Sequence, residues 1–129
     1  MPAFMRSWER ETYALLRIVT GFLFLWYGMS KVFGFPSPPP PGAPPAILWT
    51  AGPIELVCGV LVMLGLFTRW AAFIASGQMA FAYWLGHGTH ALLPIQNHGE
   101  LAVLFCFIFL YVAARGPGAW SLDVARGAT

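Results

Sequence analysis

The chain is 129 residues long, enough for one domain. It is 58% hydrophobic and 9% charged, against about 25% charged in ordinary soluble domains, too few charges to cover a water-soluble surface. A formal charge of +2, with no basic cluster among aromatics, argues against nucleic acid as a partner.

Residues 1–11 are polar. An apolar helix is expected over residues 12–33, too long for a signal-peptide core and without an Ala-x-Ala cleavage pattern, so it is expected to be retained. Arg17, Gly21, Phe24, Gly28 and Lys31 fall on one stripe of it. The glycines allow a second helix to approach closely, and Arg17 is expected to snorkel to the interface as a structural charge. Residues 34–52, with Pro36, Pro38, Pro39, Pro40, Pro41, Pro44 and Pro45, are expected to form an extended loop. The second helix is expected over residues 53–67, with Gly52 as cap and Pro53 at its first position. Glu55 then lies in its first turn, and Cys58 one turn further on.

Thr68 and Arg69 read as a tight turn, with Arg69 a second structural charge. A third helix is expected over residues 70–85, carrying the small-residue ridge Ala72, Ser76 and Ala80, with Gln78 as its mid-span amide. A loop with His87, His90, Pro94, Asn97 and His98 leads into the fourth helix, residues 98–115. Asn97 and Glu100 have the spacing of a capping box. Gly116-Pro117-Gly118 ends that helix, and residues 120–129 read as a short polar tail.

The expected fold is therefore all-α, an integral membrane four-helix bundle in a single domain over residues 1–129. Four spans put both termini on one side. Six of the seven Lys and Arg residues fall there too, which makes that side cytoplasmic. Trp8, Trp70 and Trp120 then belt the inner interface, and Trp49 and Trp84 the outer one. Lys31, Glu55, Glu100 and the three histidines gather at the outer face. Charges at membrane depth are costly, by roughly 2.5–3.5 kcal/mol on insertion scales, so Lys31 is expected to pair with Glu55 or Glu100.

Three readings of this cluster stand side by side. It is charge compensation between helices; or a metal site, disfavoured because the histidines sit on a loop and Cys58 and Cys106 form no zinc spacing; or a site for a small polar or quinone head group. In the last, Glu100 and Glu55 are the candidate catalytic groups, and Lys31, Asn97, His98 and Gln78 the candidate ligand contacts. Capping at a helix N-terminus would account for either glutamate on its own.

At Leu16-Arg17, Gly28-Met29-Ser30-Lys31, Glu55 with Gly59, residues 64–72, Gly99-Glu100-Leu101-Ala102, Gly116-Pro117-Gly118 and Ser121-Leu122-Asp123, the chain resembles the DoxX family. The resemblance covers nearly its whole length. His98 and the Pro-rich stretch 36–45 depart from the family's usual pattern. The resemblance implies a four-helix bundle in the inner (plasma) membrane. It also implies a membrane subunit or accessory of a redox system that meets quinone or a small sulfur compound, with no intrinsic cofactor and a protein partner or a second copy beside it. A non-catalytic anchoring or assembly role is the alternative, and a small-solute permease a third.

Overall fold

The computed structural model describes residues 3–39, 41–88 and 91–128. Pro40 and His90 lie outside them. Among the described residues every regular element is helical. After a 3-10 turn at Arg6–Trp8 come α1 (Glu9–Phe33), α2 (Pro45–Leu64), α3 (Thr68–Gly86), the one-turn α4 (Pro94–Asn97), α5 (Glu100–Arg115) and the one-turn α6 (Leu122–Ala125).

The second helix begins eight residues earlier than its sequence signals suggest. Pro44 is extended and Pro45 occupies the first helical position, where a missing N–H costs nothing. Gly52-Pro53 carries the same signature but falls inside the helix, so the expected loop ends at residue 44. Glu55 is consequently not a first-turn cap. It is buried halfway along a 20-residue helix, and the helix dipole gives no account of it.

The helices form two close pairs. α1 packs along α2 through glycines spaced seven residues apart on each, Gly21 and Gly28 against Gly59 and Gly52. A Cβ on Gly21 would stand 2.7 Å from the Gly59 carbonyl oxygen, and one on Gly28 would overlap the Leu56 backbone. Alanine at either position would force the backbones apart. α3 packs along α5, with the Ser76 hydroxyl donating to the Cys106 carbonyl at 2.7 Å. Phe24 of α1 joins the pairs, its ring 5.2 Å from Phe105 and 4.7 Å from Phe109.

At the end where both termini lie, polar side chains lock the chain. Arg17 does not snorkel; it is fully buried. Its Nε donates to the Val62 carbonyl at 3.1 Å, Nη1 to those of Ala119 at 2.8 Å and Pro117, and Nη2 to Trp120 at 2.7 Å. The reason is geometric. The non-helical stretch around residues 117–120 has carbonyls with no intrahelical partner, and the planar guanidinium presents five donors in a fixed fork. Arg69 does the same for the end of α5, donating to Ala113, Ala114 and Arg115. The turn expected at Thr68-Arg69 sits instead at residues 65–67, where Gly65 closes α2 in the left-handed region.

The C-terminal stretch is no loose tail. Asp123 is buried and accepts from the Phe67 N–H at 3.0 Å and from the Thr68 N–H and hydroxyl at 2.9 Å each, with Arg126 closing the group. Burial pushes its pKa up, but the Thr68 and Phe67 hydrogen bonds and the Arg126 guanidinium outweigh that and hold it below the usual aspartate value. A carboxyl depressed in the fold stabilises it above its unfolded pKa, and that contribution is lost as pH falls through the folded value. The stability gap between wild type and Asp123→Asn should therefore be full at neutral pH and shrink on acidification. Thermal midpoints of both proteins across the acid range check this.

Candidate functional site

Lys31 lies in the last turn of α1, Glu55 in the middle of α2 and Gln78 in the middle of α3. Gly28 and Gly52 set the first two close together, because the helices meet there backbone to backbone. Lys31 Nζ reaches Glu55 Oε1 at 2.7 Å, and Gln78 Nε2 donates to Glu55 Oε2 at 3.0 Å. The sequence left Lys31 a choice of two carboxylates; its partner is Glu55.

Each carboxylate oxygen thus holds a donor. The Glu55 side chain is 2% exposed and that of Lys31 17%, so Lys31 is the more accessible member of the pair. It has three N–H donors and gives one to Glu55. A carboxylate only accepts, which fixes the orientation of the Gln78 amide. Gln78 Oε1 is buried with no hydrogen-bond partner among the described residues.

These three side chains stand in the wall of a cavity of about 1300 Å³ between the helix pairs. The rest of its wall is mostly apolar. Tyr27, one turn before Lys31, has its ring centroid 5.7 Å from the Lys31 ammonium and 6.1 Å from the ring of Phe105. Tyr27 is not among the site residues expected from the sequence, although its spacing of four residues from Lys31 on one helix is a signal for it.

The other expected site residues are placed differently. Gly99, not Asn97, caps α5, and Glu100 is its first residue, so the expected capping box does not form. His98 takes a left-handed conformation (φ 60°) that ends α4 and turns the chain before Glu100. Glu100 is exposed and does not line the cavity. Asn97 is buried and fully engaged: its amide donates to the Tyr83 hydroxyl at 3.0 Å and the Ala91 carbonyl at 3.2 Å, while its Oδ1 accepts from the Gly99 N–H at 2.9 Å. It fastens the loop rather than facing the cavity. His87 and His98 do line the cavity, and His87 Nδ1 donates to the Asn97 carbonyl at 2.9 Å. Among the described residues no three His, Cys, Asp or Glu side chains converge on one point.

The arrangement has the form of a small-ligand site, an apolar chamber with a few convergent polar groups. Its accessible polar group is a hydrogen-bonding cation, suited to a ligand that accepts. Its aromatic wall suits a planar one.

Two of the three helices that build the site, α1 and α2, bear the marks of a bilayer. The segments Arg6–Phe33 and Pro45–Leu64 are long and apolar enough to cross a membrane. Only 33% of the most apolar stretch of α2 is buried inside the fold, whereas a core helix of a water-soluble protein would be mostly covered. Comparison with known proteins agrees. The chain is similar to an uncharacterized protein of Haemophilus influenzae, 43% identical over 116 residues that cover 85% of this chain and 87% of that one. It is also similar to an uncharacterized membrane protein of Mycobacterium tuberculosis, 34% identical over 145 residues covering 91% and 86%. No solved structure matches. The DoxX family model matches residues 12–88, a stretch that takes in Lys31, Glu55 and Gln78 and stops short of Asn97, His98 and Glu100. The chain belongs to the DoxX family and is a membrane protein.

Proposed function

We propose that this protein is the membrane subunit or accessory of a redox system and that its cavity receives a quinone head group at Lys31. In this reading α1, α2, α3 and α5 all cross the inner membrane, with the termini cytoplasmic on the side of six of the seven Lys and Arg residues. Trp8, Trp70 and Trp120 at one end and Trp49 and Trp84 at the other, all exposed, belt the two interfaces.

The observation that carries the reading is the part-exposed side chain of Lys31 in a mostly apolar cavity of about 1300 Å³. A quinone brings carbonyl acceptors and a flat ring. Among the described residues Lys31 has two N–H donors to spare, Tyr27 stands beside it, and Phe24 and Phe105 share the wall. Bound there, a quinone would supply two-electron redox chemistry in exchange with a partner protein. Glu55 and Gln78 hold Lys31 in place rather than touching the ligand themselves.

The test is to extract the protein in native lipid and identify what it retains by mass spectrometry. Quinone should accompany the wild type and be lost from Lys31→Met/Glu55→Gln. A folded wild type with no retained quinone would favour the anchoring role, with the pair serving only to join helices.

A further inference from the structure

The helical glycines of this protein have two different settings. Gly21, Gly28 and Gly59 are pressed against the backbone of a neighbouring helix, where a side chain would not fit, and Gly52 lies tightly against the Lys31 and Val32 side chains. Gly77 and Gly86 of α3 are not: a Cβ built on either would meet nothing within 4 Å among the described residues, and of the two only Gly77 is away from the helix end. Gly77 stands in the middle of α3, where glycine holds a helix less well than alanine does, and no group among the described residues takes up the space its missing side chain leaves.

Gly77 is part of the cavity wall, beside Gln78, and is itself exposed on the outside of the fold. Phe73 and Phe81 lie one turn to either side of Gly77 on the same face. Both line the cavity and are exposed on the outside of the fold, and so is Ile47 of α2. Residues that face the interior and the exterior together mark an opening. This one lies between α2 and α3, is framed by apolar side chains, and in a membrane-embedded chain gives onto the lipid. At its inner end is Lys31.

We propose that the notch at Gly77 is a lateral portal, and that the ligand is an amphiphile dissolved in the bilayer, whose acceptor-bearing head lies at Lys31 and whose apolar tail passes between Phe73 and Phe81. This rests on the head-group reading above and adds the tail and the route of entry. The portal is the reason for a glycine here. A side chain at residue 77 would stand where the tail runs.

The test uses two probes on the full chain in detergent, decylubiquinone, which has a ten-carbon tail, and ubiquinone-0, which has the head alone. Binding to wild type, Gly77→Ala, Gly77→Leu and Gly77→Trp is followed by quenching of tryptophan fluorescence, with the signal of Gly77→Trp calibrated separately. Decylubiquinone affinity should fall with side-chain size, by about tenfold or more in Gly77→Trp, while ubiquinone-0 affinity stays at the wild-type level. Thermal midpoints should not fall, since the new side chains displace no protein group. If Gly77→Trp does not fold, Gly77→Leu carries the comparison. Equal weakening of both probes, or unchanged decylubiquinone binding in folded variants, overturns the portal and leaves the head site standing. Failure of the wild type to bind either probe overturns the head-group reading and the portal with it.

Discussion

Arg17→Met should be among the most destabilising single substitutions in this protein. Methionine keeps the apolar stem and removes four hydrogen bonds, those to Val62, Pro117, Ala119 and Trp120. Hydrogen bonds to a charged group contribute about 1.5–3 kcal/mol each, and each carbonyl left unsatisfied costs about 1–3 kcal/mol. Partial rehydration at the end of the bundle will recover some of this, but the net loss should still exceed ~4 kcal/mol, the range reserved for broken buried networks. The damage should begin at the C-terminal stretch, which Arg17 ties to α1 and α2, so trypsin should cut at Arg126 well before the rest of the chain. Arg17→Lys should be intermediate, because one ammonium cannot span the fork. A thermal midpoint and a cleavage rate both unchanged in Arg17→Met would show that the clasp does not hold the fold.

The second large effect is expected at the ion pair. Lys31→Met strands the carboxylate of Glu55, 2% exposed, with only Gln78 among the described residues to satisfy it. Removing one partner of a buried pair costs about 3–5 kcal/mol; with Lys31 itself 17% exposed, the lower end applies. Adding Glu55→Gln to Lys31→Met should recover most of the loss. The double variant has no charge to bury, and its new amide oxygen still accepts from Gln78. Thermal midpoints of the two single variants and the double one form a cycle whose coupling should be strongly non-additive. Additive losses would mean that the two groups act independently.

How much of this was open to the sequence depends on the range of the contact. The stripe from Arg17 to Lys31 could be read because helical periodicity puts its members on one face, and the cost of a buried charge called for a partner to Lys31. Which partner could not be read. Gly52-Pro53 and Pro44-Pro45 carry equally good helix-start signals, and the choice falls to packing, since Gly52 lies against Lys31 and Val32 and is better used inside α2 than before it. Asn97 and Glu100 misled in a similar way. Their spacing fits a capping box, but the chain spends residues 94–97 on a separate turn and reverses at His98. Arg17 meets the 117–120 stretch across about 100 residues, and no local pattern reports a contact of that span. Asp123 was part of a recognised motif and received no role, because its partners Phe67 and Thr68 are brought to it only by the fold. The cavity is likewise a property of how two helix pairs stand apart, and composition carries no sign of it.

The role proposed for Lys31, presented by Glu55 and Gln78, is to receive a ligand within the cavity. Its most direct test is a decylubiquinone titration of wild type, Lys31→Met/Glu55→Gln and Glu100→Gln, each first shown to be folded. Glu100 is exposed and outside the cavity wall, so Glu100→Gln should bind as the wild type does. The double variant keeps the cavity and its aromatic wall but has no ammonium, and its affinity should fall by at least about tenfold, the loss of a single charged hydrogen bond. Wild-type affinity in the folded double variant, or a loss confined to Glu100→Gln, would contradict the account.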